Sequence, residues 1–119
     1  MLRRFWLEEA FPLSCADSEA APALIEQVFK DAELSWPHAE HANVEFVAFD
    51  AREQLASITT RSLVLAGAHD TLSVDTVRAI HDGVADSEFV LFENSGHYAP
   101  VEEPQRFKSV LLEFLDVEP

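Results

Sequence analysis

An α/β fold built on parallel strands is what this sequence predicts, and three observations carry that reading. Ser62-Leu63-Val64-Leu65-Ala66 and Phe89-Val90-Leu91-Phe92 are short unbroken apolar runs, the pattern of strands covered on both faces. The stretch between them places its apolar residues at helical spacing. A helix joining two such strands returns the second parallel to the first, as a right-handed βαβ unit.

Ala16 to Leu34 reads as an amphipathic helix: Asp17 or Ser18 can cap it, Pro22 is tolerated in its first turn, and Leu24, Ile25, Val28 and Phe29 share one face. Ser35-Trp36-Pro37 breaks that helix, and Val44 to Phe49 reads as helix rather than strand. The first apolar run stops at Gly67. Ser73 or Asp75 then caps a helix with Val74, Val77, Ile80 and Val84 inward, and Gly83 sits where it should stop. After the second run, Pro104 opens a last helix, with Glu102 and Glu103 at its positive end. Phe107, Val110, Leu111, Phe114 and Leu115 form its apolar stripe. Two parallel strands are too few for a covered sheet, so another polypeptide or a second copy of this chain is expected to complete it.

Composition narrows the classes of function. The chain has 119 residues, 48% hydrophobic and 25% charged, which suits one globular domain. Its net charge of −14 repels nucleic-acid phosphates and anionic membrane surfaces, so neither is an expected partner. Cys15 is the single cysteine and has no internal disulfide partner; it reads as a small buried hydrophobe. No apolar run has the length of a membrane span, and Glu8 and Glu9 interrupt the N-terminal stretch before a signal-peptide core develops. The expected location is cytoplasmic. Gly67, Gly83 and Gly96 fit neither a dinucleotide fingerprint nor a phosphate-binding loop.

Chemistry concentrates where the two strands run out. The first ends in Gly67-Ala68-His69-Asp70 and the second in Glu93-Asn94-Ser95-Gly96-His97. Functional groups of an open parallel sheet collect beyond the carboxyl ends of its strands, so Asp70 and His97 should project from neighbouring loops. A carboxylate beside an imidazole fixes the ring tautomer and stabilises the imidazolium, as the general base of a nucleophile requires. The alternative readings are an Asx-turn residue for Asp70 and a plain loop histidine for His97.

Leu63 to Asp70 together with Phe89 to His97 resembles the last third of an α/β-hydrolase, most nearly the proline iminopeptidase-like subgroup. In that family the acid follows the penultimate strand and the histidine the last, in chain order Ser, Asp, His. The spacing of 27 from Asp70 to His97 holds one helix and one strand, as the family has it. Phe49-Asp50 through Leu55 to Ile58 resembles the family's lead-in to the penultimate strand. Glu102-Glu103-Pro104 and the helix after it resemble its C-terminal helix. Arg61 and Val74 depart from the pattern, standing where relatives often carry proline.

The resemblance implies the C-terminal fragment of the α/β-hydrolase fold: residues 1–48 as the end of a helical cap, and 49–119 as the last two parallel strands with flanking helices. It makes Asp70 the triad acid and His97 the general base. It supplies no nucleophile, since no serine has glycine two positions before and after it, as the G-x-S-x-G elbow needs. The implied substrates are small esters, amides or N-terminal prolyl peptides, with no metal or organic cofactor. The implied partner is the N-terminal hydrolase portion or a second copy of the chain. The competing expectation is a self-associating, non-catalytic module.

Other residues carry weaker signals. His38-Ala39-Glu40-His41 is one residue short of a metal-binding helix motif and reads as a solvated surface. His69, beside Asp70, reads as strand-end packing or site lining. Glu8, Glu9 and Glu33 lie in the region from which the family's cap carboxylates receive a substrate amino group, and no motif chooses among them.

Overall fold

The computed structural model describes residues 2–29 and 49–116. The first residues form a continuous helical stretch. α1 (Leu2–Phe5) passes through a π-helical turn (Trp6–Ala10) into α2 (Phe11–Leu13). The widened turn lies just before Pro12, which lacks the N–H that a regular ladder would need there. α3 (Ala21–Phe29) is shorter than the reading from Ala16. Asp17 explains the difference: its Oδ1 accepts the Glu19 N–H at 2.9 Å, closing an Asx turn instead of capping a helix. The expected continuation to Leu34, the break at Trp36 and the helix over Val44 to Ala48 lie outside the described residues. Phe49, the last residue of that expected helix, is not helical.

The second half follows the predicted order. After α4 (Arg52–Leu55) come β1 (Ser62–Gly67), α5 (Val74–Gly83) and β2 (Ser87–Phe92). A one-turn helix not foreseen from sequence, α6 (Ala99–Glu102), precedes α7 (Pro104–Phe114). β1 and β2 pair in parallel, in register from Ser62 opposite Ser87 to Gly67 opposite Phe92. Of the two possible caps of α5, Ser73 acts: its Oγ accepts the Thr76 N–H.

Helices cover both faces of the two-stranded sheet. Arg78 of α5 lies over the Phe89 ring at 4.2 Å, whereas Phe107 and Arg106 of α7 lie against Phe92. Strand residues three apart point to opposite faces, so α5 and α7 flank the sheet from either side. Phe92 is fully buried. On β1, Ser62 and Ala68 donate their N–H groups to the β2 side. By the alternation of a parallel ladder, the backbone groups of Leu63 and Leu65 face the other way, where no further strand lies among the described residues.

A second core lies in the N-terminal segment, around Phe11, Cys15 and Ala21. Tyr98, from the loop after β2, stacks on Phe11 with ring centres 4.7 Å apart. Trp6 and Phe29 meet the Phe11 ring edge-on. The N-terminal helices therefore pack directly on the loop that carries His97.

Candidate active site

Both strands deliver their last residues to one edge of the sheet, and the two loops there are tied together. The Ala68 N–H donates to the Phe92 carbonyl at 2.9 Å and the His69 N–H to the Ser95 carbonyl at 3.0 Å. Close approach makes this possible. A Cβ on Gly67 would run into the Gly96 carbonyl, and one on Gly96 into the Ser14 carbonyl.

This packing brings His97 Nδ1 to 2.8 Å from Asp70 Oδ2. The Asp70 side chain is 8% exposed and that of His97 49%, so the acid is sheltered and the ring reaches solvent. Asp70 Oδ1 accepts the Leu72 N–H at 3.1 Å and the Thr71 hydroxyl at 3.3 Å. One oxygen of Asp70 thus closes an Asx turn while the other meets the imidazole. With Nδ1 donating to the carboxylate, Nε2 is the ring nitrogen left to accept a proton.

The His97 loop is held by the two carboxylates that sequence reading assigned to the positive end of the last helix. Glu103 does stand at the N-cap of α7, but its side chain turns back: Oε2 accepts the Asn94 N–H at 3.1 Å and the Ser95 hydroxyl at 2.6 Å. The Ser95 hydroxyl, the Asn94 N–H and Arg106 hold its carboxyl below the usual range against the effect of burial. Glu102 accepts the N–H groups of Gly96 and Tyr98. Their position five and six residues after His97 gave a signal, but the following Pro104 offered a simpler reading. Ser95 itself is fully buried and spends its hydroxyl on Glu103.

The remaining candidates stand apart from this pair. Cys15 is buried, and its Sγ donates to the Phe11 carbonyl; burial first, then the charges of Glu102 and Asp17, pushes the thiol up to about 11. His69 is exposed, and its backbone N–H joins the loop network. Glu8 pairs with Arg4 at 2.7 Å on an exposed helix face, and Glu9 is exposed. Glu33, His38 and His41 lie outside the described residues. Among the described residues, no group of three His, Cys, Asp or Glu side chains could hold a metal ion. No helix among them is long and apolar enough to cross a membrane.

No protein-family model matches the chain. The chain is similar to the proline iminopeptidase of Saccharolobus solfataricus, 38% identical over 68 residues that make up 57% of this chain and 22% of the relative. It is 33% identical over 75 residues to the AB hydrolase superfamily protein YisY of Bacillus subtilis, 62% of this chain and 28% of that protein. The chain thus spans about a quarter of the length of these curated relatives. Among solved structures, the esterase EaEST from Exiguobacterium antarcticum matches 96% of this chain and 43% of its own at a TM-score of 0.79 and 22% identity, a likeness of fold. VinJ matches 57% of this chain and 23% of its own, with 34% identity and a TM-score of 0.55.

A parallel strand-helix-strand-helix unit with acid and histidine at the ends of adjacent strands is the C-terminal part of the α/β-hydrolase fold, and the structural likenesses agree. Over the 57% of its length that is matched, the chain is similar to two proline iminopeptidases.

Proposed function

We propose that this chain supplies the acid–base half of a serine hydrolase, with His97 as general base and Asp70 as its acid. The observation that carries the reading is the 2.8 Å contact between a sheltered carboxylate and a half-exposed imidazole at the ends of adjacent parallel strands. The serine and oxyanion hole would come from the preceding part of the fold, whether in the same or another polypeptide; residues 1–48 would be the end of the cap over the site. His97 Nε2 takes the proton from the serine Oγ as it attacks the acyl carbon, and Asp70 stabilises the imidazolium. The ring returns that proton to the leaving group, and water then releases the acyl-enzyme with His97 again as base. Small esters, amides and N-terminal prolyl peptides are the substrate class that the named relatives suggest.

One observation favours a second reading, a module that completes its sheet with its own copies: the outer edge of β1 has no strand alongside it among the described residues. Native and denatured mass of one purified sample, with labelling by a serine-directed fluorophosphonate probe, separates the two. A labelled polypeptide bearing G-x-S-x-G in the assembly supports the hydrolase. A whole-number multiple of 13.3 kDa without labelling overturns it for this molecule and leaves Asp70 and His97 as relics.

A further inference from the structure

We propose that Glu102 is a positioning residue for His97, and that through it the N-terminal helical segment sets the geometry of the acid–base pair. The inference rests on reading Asp70 and His97 as that pair. The Glu102 carboxylate is shared between two parts of the chain. Its Oε1 accepts the Ala16 N–H at 2.6 Å, while Oε2 accepts the N–H groups of Gly96 at 2.9 Å and Tyr98 at 3.2 Å. Those two residues bracket His97, whose own N–H donates to the Ser14 carbonyl at 2.6 Å. Three consecutive N–H groups are thus anchored either to residue 14 or to a carboxylate that also holds residue 16. The Tyr98 ring adds a second link, stacked on Phe11 and edge-on to the imidazole at 5.1 Å.

The chemistry of the bridge requires a carboxylate. All three of its partners are donors, and an ionised carboxyl is an acceptor at both oxygens. An amide of the same shape has one acceptor oxygen and two donor hydrogens, so it can hold one side of the bridge and must face the other N–H with N–H. Glu103 provides an internal comparison, for it holds Asn94 and Ser95 and, among the described residues, none of its hydrogen bonds reaches the N-terminal segment.

The test uses the purified chain in mildly alkaline solution, with the tautomer of His97 read from ring 15N–13C correlations and backbone exchange read by amide NMR. In the unaltered chain the Nδ1–H tautomer is expected to dominate. Glu102→Gln is expected to mix the tautomers and to speed exchange at Ala16, Gly96 and Tyr98 by about tenfold or more, the loss of charge-assisted hydrogen bonds. The amides of β1 and β2 keep their protection. Glu103→Gln is expected to affect Asn94 and Ser95 and to leave residue 16 unchanged. An unchanged tautomer in Glu102→Gln overturns the proposal, whatever happens to exchange. Protection lost equally across β1 and β2 also overturns it, since the carboxylate would then hold the fold and not the ring. If Glu102→Gln does not fold, Glu102→Asp, which keeps the charge and shortens the reach, is judged by the same two readouts. Asp70→Asn separates the levels. A tautomer indifferent to Asp70→Asn defeats the acid–base reading itself, and one that responds to Asp70→Asn but not to Glu102→Gln defeats only the role given to Glu102.

Discussion

At Cys15, the surroundings separate chemical potential from chemical use. A thiol is nucleophilic as thiolate, and here burial, with Glu102 and Asp17 adding like charge, lifts its pKa from 9.0 to about 11. A thiol-directed reagent at about pH 8 should therefore label the folded chain far more slowly than the chain in denaturant, with labelling followed by intact mass. The linkage has a definite sign. Between 9.0 and about 11 the unfolded state has lost a proton that the folded state keeps, so this residue's contribution to stability falls as pH rises through that window. Urea midpoints across it should drop less steeply in Cys15→Ala than in the unaltered chain. Asp70 presents the opposite case. Its residue type and its place after a strand suited both a turn and a triad, and one oxygen of the carboxyl closes the turn while the other meets the His97 ring.

The elements were legible where a local signal sufficed. Ser73 three residues before Thr76 is a capping arrangement visible in sequence, and it forms; replacing it with alanine should cost about 1 kcal/mol in urea denaturation. The two strands appear within two residues of the expected bounds, because both faces of each must be apolar when helices pack on both sides. Competition between local signals produced the misses. Asp17 had a turn available and took it, which moved the start of α3 to Ala21. Glu103 had a helix N-terminus available and instead reached back to the β2 loop. That loop should carry a pH signature. Glu103 is held below its ordinary range in the folded state, so its stabilising contribution is present above that range and is lost as pH falls through the lowered value. The protection of the Asn94 amide, the slowing of its exchange relative to the free-chain rate at the same pH, should fall on acidification, and Glu103→Gln should remove that dependence.

Across the whole molecule, the N-terminal helices and the strand unit meet through a small number of large contacts. Phe11 is 1% exposed and touches Trp6, Phe29 and Tyr98, so the aromatic core of the first segment is finished by a residue adjacent to His97. Phe11→Ala should cost about 3–5 kcal/mol and weaken the near-ultraviolet circular dichroism of Trp6 and Tyr98, measured together in one denaturation series. Ile80, Leu111 and Leu115, which periodicity placed inward, are 43%, 37% and 54% exposed. A helical stripe reports which face is apolar, and how far neighbours cover it depends on how many neighbours there are. With two strands in the sheet among the described residues, α5 and α7 overhang what they can cover.

The sequence by itself determined the strand-helix-strand-helix order after residue 61, the parallel pairing and the loops on which an acid and a histidine would meet. Periodicity, caps and strand-end residues are local properties, and a helical crossover admits one handedness. Only the tertiary structure decided that Asp70 and His97 come within a hydrogen bond, that Glu102 and Glu103 serve the His97 loop, and that residues 14 and 16 hold it from the far side. The contacts of Glu102 and of residues 14 and 16 link positions as much as 86 apart through backbone N–H and carbonyl groups that every residue carries, so no side-chain pattern announces them.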